Sequence, residues 1–188
     1  VHTTAPFVTR YSYLDGADVN STTALVENMQ VGEDTYCYAY DALGNIESVS
    51  KNGTVIESYT YDSLNQLKTL TNANGVYEYT YDNGGNILSV TLNGESIKSY
   101  TYGNANWKDQ LTAYNGQAIT YDEIGNPLSY KGNTLSWQNG RQLTGITNAQ
   151  NTINYTYNAD GNRTSKTVNG VTTDYYWLEG VLLGQKTG

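Results

Sequence analysis

Aromatic and polar residues alternate in a motif that returns along most of the chain. In Tyr59-Thr60-Tyr61-Asp62 the tyrosines occupy alternate positions, which is typical of a β-strand with one buried and one exposed face. A fixed period of about 20 residues predicts a repeat array. The second aromatic of successive copies stands at Tyr40, Tyr61, Tyr81, Tyr102, Tyr121, Trp137, Tyr157 and Trp177.

Two turn signals separate the predicted strands. Asn-Gly predicts a tight hairpin, because both residues tolerate positive φ, and Asp-x-x-Gly-Asn predicts a turn in which the Asp side chain accepts a backbone N–H two residues on. Asn-Gly begins at Asn52, Asn74, Asn83, Asn93, Asn115, Asn139 and Asn169, and Gly-Asn begins at Gly44, Gly85, Gly125 and Gly161. Each repeat is therefore predicted as strand, Asp turn, strand, Asn-Gly turn.

The fold class predicted from this pattern is all-β, with sixteen to eighteen short strands from residue 7 to residue 186. Antiparallel hairpins would follow one another along the chain and form a curved or spiralling sheet. We expect one continuous domain over residues 1–188, with an irregular first repeat over 1–35 and regular repeats over 36–188. Its ends, Val1 and Gly188, look like cut points in a longer protein.

The return strand of each repeat has a less regular pattern than the tyrosine strand. Its apolar residues are three apart, as in Ile46 and Val49, or Leu67 and Leu70. This spacing either places apolar groups on both faces of the sheet or marks a β-bulge that bends the strand. Stacking of the repeats is expected to bring tyrosines onto neighbouring strands, where they form aromatic pairs.

Composition and charge exclude several classes of partner. The chain has 10 basic and 18 acidic residues and a formal net charge of −8. A surface of that sign repels phosphate, and no cluster of Lys or Arg interrupts it, so no nucleic-acid partner is expected. No apolar run approaches the length of a membrane span. The 19 tyrosines against one Phe favour a thin sheet, because Tyr buries a ring while its hydroxyl stays in water or on a partner.

The sequence predicts no catalytic, cofactor-binding or metal site. His2 is the only histidine, so a Ser-His or Cys-His pair has no base apart from this residue near the N-terminus. Cys37, the only cysteine, is interpreted as a packed side chain of a strand. The acidic stretch from Asp15 to Asn20 loosely resembles a calcium loop, but it lacks the closing Glu of an EF-hand. The motif aspartates are interpreted as turn formers, since Asn158 replaces Asp without loss of the Gly-Asn that follows.

A carbohydrate-binding surface is the alternative that the aromatic residues leave open. Exposed Trp and Tyr beside Asn are typical of surfaces that bind sugars. Trp137 and Trp177 occupy the repeated aromatic position and are interpreted as structural. Trp107 lies in an insertion, Asn104 to Trp107, that interrupts the repeat, so it is the candidate for stacking on a glycan.

The motif Tyr-x-Tyr-Asp-x-x-Gly-Asn-Ile/Leu resembles the YD repeat of the Rhs family. That family includes bacterial Rhs and wall-associated toxins, the B and C components of Tc toxins, and animal teneurins. One copy departs from the motif in its turn, with Asn65-Gln66 in place of Gly-Asn. Two others depart in the strand or at its end: Gly103 follows Tyr102 in place of Asp, and Leu135-Ser136-Trp137 is still further from the motif. The motif residues are Tyr38, Tyr40, Asp41, Gly44, Asn45; Tyr59, Tyr61, Asp62; Tyr79, Tyr81, Asp82, Gly85, Asn86; Tyr121, Asp122, Gly125, Asn126; and Tyr155, Tyr157, Gly161, Asn162.

The resemblance implies a section of a hollow β-sheet shell that walls off or presents a C-terminal segment, a toxin or other cargo, that lies outside this chain. It implies a non-enzymatic role, a secreted or cell-surface location in a bacterium, and further segments of the same polypeptide as partners. Open sheet edges make edge-to-edge self-association a second expectation. The alternative function is a carbohydrate-binding, adhesive repeat module.

Overall fold

The computed structural model describes residues 8–188, and it divides the chain into two compact units, one ending at Lys98 and the other covering Ser99–Gly188. The described residues form 18 strands and no helix, so the all-β prediction of antiparallel hairpins is confirmed. The curvature of the sheet and a single continuous domain stay predictions. His2 and the predicted start of the first strand at Phe7 lie outside the described residues.

The first unit is a sheet whose strands are neighbours in chain order, and the first eight strands pair antiparallel, each with the next. The boundary between the units falls inside the ninth strand. The strands are β1 Thr9–Asp15, β2 Thr22–Val31, β3 Asp34–Tyr40, β4 Ile46–Lys51, β5 Thr54–Tyr61, β6 Leu67–Asn72, β7 Gly75–Tyr81, β8 Ile87–Leu92 and β9 Glu95–Thr101.

The second unit continues the same antiparallel pattern. The end of β9 pairs with β10 and β10 pairs with β11, whereas β12 to β18 pair in chain order as a seven-stranded sheet. The strands are β10 Ala113–Tyr114, β11 Gln117–Ala118, β12 Ser129–Tyr130, β13 Asn133–Gln138, β14 Gln142–Thr147, β15 Thr152–Tyr157, β16 Arg163–Val168, β17 Val171–Leu178 and β18 Val181–Thr187.

The predicted strands over residues 110–131 shrink to pairs of residues. Pro127 has no N–H for the ladder and makes only an isolated bridge to Tyr121. The N–H of Thr120 donates to the Ser129 hydroxyl at 3.0 Å instead of to a backbone carbonyl. Regular pairing is therefore lost where a proline and a side-chain acceptor replace ladder partners.

A β-bulge sits at the same place in six hairpins, and it explains the spacing of apolar residues in the return strands. Tyr40 lies opposite Ile46, but Tyr38 lies opposite Val49, so β4 contains one residue more than β3 over this stretch. Ile46 and Val49, three residues apart in the return strand, therefore pair with tyrosines two residues apart and lie on the same face of the sheet. The register shifts fall at Ala39/Tyr40, Thr60/Tyr61, Thr80/Tyr81, Ser136/Trp137, Thr156/Tyr157 and Tyr176/Trp177.

The core is thin, and aliphatic side chains separate the tyrosines. Among residues 8–188 the buried hydrophobic residues are Val49, Val90 and Ile119. Leu70 lies opposite Tyr59 on one side and Tyr77 on the other, so a return strand stands between successive tyrosine strands. The expectation of aromatic pairs between neighbouring repeats is therefore wrong for most of the chain, since two strand spacings exceed about 9 Å. Ring pairs occur at Tyr100–Tyr114 and Tyr114–Tyr130.

Five of the seven Asn-Gly dipeptides form the predicted hairpin turns, with positive φ at both residues. Asn52 has φ +50° and Gly53 has φ +81°, which are values of a type I′ turn. The side chain of this Asn also joins neighbouring hairpins, because its Oδ1 accepts the N–H of Thr35 at 2.8 Å. The other four turns begin at Asn93, Asn115, Asn139 and Asn169.

The hairpin prediction is wrong for Asn74-Gly75 and Asn83-Gly84. Asn72 pairs with Gly75, so Gly75 is the first residue of β7 and the turn lies over residues 73–74. Asn83 and Gly84 lie inside the turn that begins at Asp82, where the positive φ belongs to Gly85. In both places a competing pairing determines which residues occupy the centre of the turn.

Candidate functional site

The Asp-x-x-Gly-Asn segment forms one compact turn. Asp41 Oδ1 accepts the backbone N–H groups of Leu43 and Asn45, both at 2.9 Å. Asp41 Oδ2 accepts the Asn45 side-chain amide at 2.9 Å, and Gly44 takes φ +83°. Both carboxylate oxygens therefore accept hydrogen bonds from groups within the same five residues, which is the geometry of an extended Asx turn.

The same turn recurs in four more repeats of the described chain. Asp62, Asp82, Asp122 and Asn158 each accept the N–H two residues on and the N–H four residues on. In the departing copy Asn65 replaces Gly and takes φ +65°, so the left-handed position is kept without glycine. Asn126, only 3% exposed, also donates its side-chain amide to the Gly140 carbonyl at 2.7 Å.

Hydrogen bonding in these turns favours the ionised carboxylates. The side-chain amide of Asn45 is the main cause that lowers the pKa of Asp41, and Asn86 does the same for the pKa of Asp82. Burial acts to raise the pKa of Asp122, but the hydrogen bonds from Asn126 and the turn backbone outweigh it and lower that pKa. These carboxylates remain charged turn formers at neutral pH.

The second aromatic is hydrogen-bonded to the preceding repeat at seven of its eight positions. The Tyr61 hydroxyl donates to the carbonyl of Ile46 at 2.9 Å, and the Tyr81 hydroxyl donates to that of Leu67 at 2.7 Å. Ile46 and Leu67 are each the first residue of a return strand in the preceding repeat. The same bond runs from Tyr40 to Val26, Tyr121 to Leu111, Tyr157 to Leu143, Trp137 to Pro127 and Trp177 to Arg163.

Sequence reasoning missed this inter-repeat hydrogen bond, although a signal for it was present. At Trp137 and Trp177 the indole N–H replaces the phenol O–H as donor, at 2.7 Å and 2.9 Å. The second aromatic is always Tyr or Trp and never Phe, which indicates a required polar hydrogen. Burial of these rings raises the pKa of the hydroxyls of Tyr40, Tyr61, Tyr81 and Tyr121.

The insertion loop carries Trp107 across to the next turn. Asn104 Oδ1 accepts the N–H groups of Asn106 and Trp107, at 3.0 Å and 3.2 Å, and fixes the loop backbone. The indole packs against Gly125, where a Cβ would lie 2.8 Å from Trp107 Cζ3. The side chain nevertheless remains 50% exposed.

A cleft of about 500 Å³ lies beside this indole, entirely within the second unit. Its walls combine Trp107 with amide, carboxylate and apolar side chains of the insertion and of the following turn. They are Asn104, Trp107, Gln110, Thr112, Ile119, Tyr121, Asp122, Glu123, Ile124 and Gly125. The structure therefore brings the candidate Trp107 together with three motif residues, Tyr121, Asp122 and Gly125, and leaves the other motif residues in the repeated turns and strands.

The described residues contain neither a cluster of metal ligands nor a membrane-spanning helix. Over residues 8–188 no group of three or more His, Cys, Asp or Glu side chains is arranged to hold a metal ion. The loop from Asp15 to Asn20 instead closes on itself, with the Gly16 N–H donating to the Ser21 carbonyl at 2.8 Å. Cys37 lies half-buried in β3. In the same range no helix has the length and apolar character needed to cross a membrane.

Comparison with known proteins identifies the repeat. The model of the RHS repeat matches residues 40–77 and 61–97, two overlapping copies of the motif whose geometry is described above. Residues 40–97 of this chain are RHS repeats. The resemblance to the YD repeats is thereby confirmed. A search of curated protein sequences gives no match.

Solved structures share the fold of this chain at low sequence identity. The Photorhabdus luminescens Tc holotoxin pore is similar with TM-score 0.65 and 21% identity over 95% of this chain. A crystal structure of TcdB2-TccC3-TEV is similar with TM-score 0.67 and 20% identity, also over 95% of this chain. This chain spans 11% of the length of each of those chains. At such identities the likeness concerns the fold alone.

Proposed function

We propose that this chain is a section of the wall of an RHS-repeat shell within a longer polypeptide. Its role is to enclose or present a C-terminal segment of that polypeptide, a toxin or other cargo. The wall itself is non-enzymatic, since it acts by covering its contents. Secretion, or display on a bacterial surface, is part of the same proposal.

The single observation that supports this role is the aromatic hydrogen bond that joins a repeat to the one before it at seven of the eight second-aromatic positions. Its distance lies between 2.6 Å and 2.9 Å at seven positions. A sheet with few fully buried side chains depends on contacts between neighbouring repeats for its stability. A bond that recurs at the same position makes the sheet continuous in the direction in which repeats are added, as a wall requires.

The partners follow from the same arrangement. Further repeats of the polypeptide would extend the sheet, because β18 is exposed along its whole length and offers unpaired backbone groups. Association of two copies edge to edge would use the same strand. The size of the similar structures, of which this chain covers about a tenth, also supports a longer polypeptide.

Protection from proteolysis tests the proposal in the natural polypeptide that contains this chain. The segment C-terminal to the repeats should resist a protease that digests it readily once it is released by denaturation. Deletion of residues 62–81, one repeat of the wall, should shorten the enclosure and expose that segment. Equal digestion with and without the deletion, from the first time point, would contradict the proposal, as would a natural polypeptide with no segment beyond the repeats.

The alternative function, an adhesive carbohydrate-binding module, requires an accessible ligand site. The cleft beside Trp107 is the observation that favours it, because its aromatic wall is half exposed. The protease experiment distinguishes the two functions. A shell wall should protect the segment C-terminal to the repeats, whereas an adhesive module needs no enclosed segment.

A further inference from the structure

We propose that the cleft beside Arg163 binds the carboxylate side chains of an acidic peptide segment. The site lies in the second unit, on β16 and on the turn that precedes it, where several side chains depart from those of the other repeats. Enclosure by a wall of equivalent repeats does not require this departure, because one repeat of the described chain carries it.

Two cationic residues of β16 stand where four other return strands have aliphatic ones. Arg163 lies opposite Tyr157, and Lys166 lies opposite Tyr155. Because a β-bulge separates the two pairs, Arg163 and Lys166 share the face of the two tyrosines. At the same positions β4, β6, β8 and β14 carry Ile46 and Val49, Leu67 and Leu70, Ile87 and Val90, and Leu143 and Ile146. Two cations that are separate in the sequence thus come to neighbouring positions on one face.

The turn before β16 lacks the carboxylate that the equivalent turns have. In the first of those turns Asp41 Oδ2 accepts the side-chain amide of Asn45 at 2.9 Å. Asn158 keeps the backbone hydrogen bonds of the turn, but it carries no charge. The side-chain amide of Asn162 consequently has no hydrogen-bond partner among residues 8–188. One repeat therefore gains two cations, loses one anion and has an unused amide donor.

Tyrosine rings orient the guanidinium of Arg163. Its central carbon lies 5.3 Å from the ring centroid of Tyr155 and 5.0 Å from that of Tyr175, which is the range of cation–π contacts. These rings belong to β15 and β17, the strands on either side of β16. They flank the guanidinium and leave its N–H edges to a ligand.

No carboxylate of the described chain occupies this position. Among residues 8–188 neither Arg163 nor Lys166 forms an ion pair, not even with Asp160 in the preceding turn. Asp174, on the neighbouring strand, lies opposite Ser165 and so faces the other side of the sheet. The guanidinium fork is therefore available to a carboxylate from a ligand, which it matches with two parallel hydrogen bonds.

The walls of the cleft fit a peptide better than a phosphate polymer. The volume is about 330 Å³, and Trp177 and Leu182 lie beside Arg163. Leu182 is 46% exposed, so it can cover an apolar side chain next to the bound carboxylate. Two cations on a chain of net charge −8 are too few for a nucleic-acid backbone, whose binding depends on many phosphate contacts. An acidic peptide with apolar residues between its carboxylates matches both the charge and the walls.

Calorimetry with short peptides on the full chain tests the proposal. The probes are acetylated and amidated peptides in which Glu or Asp alternates with Phe or Leu, and each has a neutral counterpart with Gln or Asn in place of the acids. At least one acidic peptide should bind, and its neutral counterpart should bind at least about tenfold more weakly. An increase in sodium chloride from about 0.05 to 0.5 M should weaken binding of the acidic peptide, because salt screens the charges.

Two variants that restore the repeat motif test the position of the site. Arg163→Leu restores the residue type of Leu67 and should weaken binding at least about tenfold. Asn158→Asp restores the turn carboxylate and should weaken binding severalfold, since it adds a negative charge beside the ligand. Both variants should keep their strands by circular dichroism, because other repeats fold with these residues.

Arg141→Gln is the matched control. Arg141 is exposed like Arg163 but lies outside the cleft, and its substitution lowers the net charge by the same amount as Arg163→Leu. This variant should retain the affinity of the unchanged chain. The proposal is overturned if no acidic peptide binds, if the neutral counterparts bind as tightly, or if Arg141→Gln weakens binding as much as Arg163→Leu.

Discussion

Removal of one hydroxyl from Tyr81 tests whether the aromatic hydrogen bonds join the repeats. Tyr81→Phe deletes the donor to the Leu67 carbonyl, which lies 2.7 Å away, and leaves the ring in place. Tyr79→Phe is the matched control in the same strand, because the hydroxyl of Tyr79 has no hydrogen-bond partner among residues 8–188. Both variants lose the same atom, so only the bond differs between them.

The magnitude follows from the position of the bond. A hydrogen bond of this kind contributes about 1 kcal/mol net, within a range of about 0.5–1.5 kcal/mol, and the abandoned carbonyl is only part-buried. Tyr81→Phe should therefore lower the free energy of unfolding by about 1 kcal/mol, and the midpoint of thermal unfolding by about 2–4 °C. Tyr79→Phe should change it by less than about 0.5 kcal/mol.

The losses of unfolding free energy caused by removing equivalent hydrogen bonds from separate repeats should add. Tyr40, Tyr61 and Tyr81 belong to three successive hairpins whose tyrosine strands lie about 10 Å apart, so the triple Phe variant should lose about 3 kcal/mol. Urea unfolding followed by circular dichroism gives the comparison, with an unchanged dependence on urea as the sign that the folded state is the same. Equal stability of Tyr81→Phe and Tyr79→Phe would refute the proposed bond.

Three further predictions concern the turns and the tyrosines. Gly85→Ala should lower the free energy of unfolding by about 1–2 kcal/mol, because φ is +88° there. Gly84→Ala should be neutral, because Leu43 stands at the equivalent position of the Asp41 turn; equal losses would contradict this. The lowered pKa of Asp82 means that its stabilising effect is complete above the unfolded value of about 4 and is lost as the pH falls through the folded pKa. Asp82→Asn should retain the turn, as Asn158 does, and should lose less stability than the unchanged chain between about pH 4 and pH 2; identical acid curves would argue against it. Burial and a hydrogen bond to the Glu57 carboxylate raise the pKa of Tyr59 to about 12, so its contribution is complete below about pH 10 and is lost as the pH rises towards that value. In an ultraviolet titration, Tyr59→Phe should therefore show one fewer tyrosine that ionises near pH 12 than the unchanged chain. Identical titration curves would contradict the raised pKa of Tyr59.

The Asp turns are predictable from sequence because everything that forms them lies within five residues. The carboxylate of Asp41, its two backbone donors and the left-handed Gly44 are all local, so no distant contact can redirect them. A substitution that keeps the same hydrogen bonds can also be predicted from the sequence: Asn158 replaces Asp and accepts the same two backbone N–H groups. One bound of each regular strand follows as well, because the tyrosine strand ends where such a turn begins and the return strand begins where the turn ends.

Asn74-Gly75 shows where local reading fails. The dipeptide favours a type I′ turn, but the pairing of Asn72 with Gly75 places residues 73–74 in the turn instead. The Asn74 N–H then donates to Asn72 Oδ1 at 2.9 Å, a contact that the dipeptide alone does not specify. The register of the hairpin is a property of both strands, so a signal confined to two residues cannot fix it.

The inter-repeat bonds and the cleft depend on contacts that are distant in sequence. The spacing of Leu67 and Leu70 left two interpretations open, and only the paired register selects the bulge. The Tyr81 hydroxyl reaches a carbonyl 14 residues earlier in the chain. The sequence marks Trp107 because it lies outside the repeated positions. Its support, Gly125, lies in the next turn, so the cleft depends on the path of the loop, which the sequence pattern does not specify.

Deletion of one whole repeat tests most directly whether the chain is an array of hydrogen-bonded repeats. Removal of residues 62–81 joins Tyr61 to Asp82 and restores Tyr-x-Tyr-Asp followed by Gly-Asn. The matched control removes half a repeat, residues 62–71, and reverses the direction of every later tyrosine strand relative to β5. Far-ultraviolet circular dichroism and urea unfolding should show a folded, shorter sheet for the whole-repeat deletion and a severely destabilised one for the half-repeat deletion. Unfolding of the whole-repeat variant, or equal tolerance of both deletions, would contradict the repeat-by-repeat account.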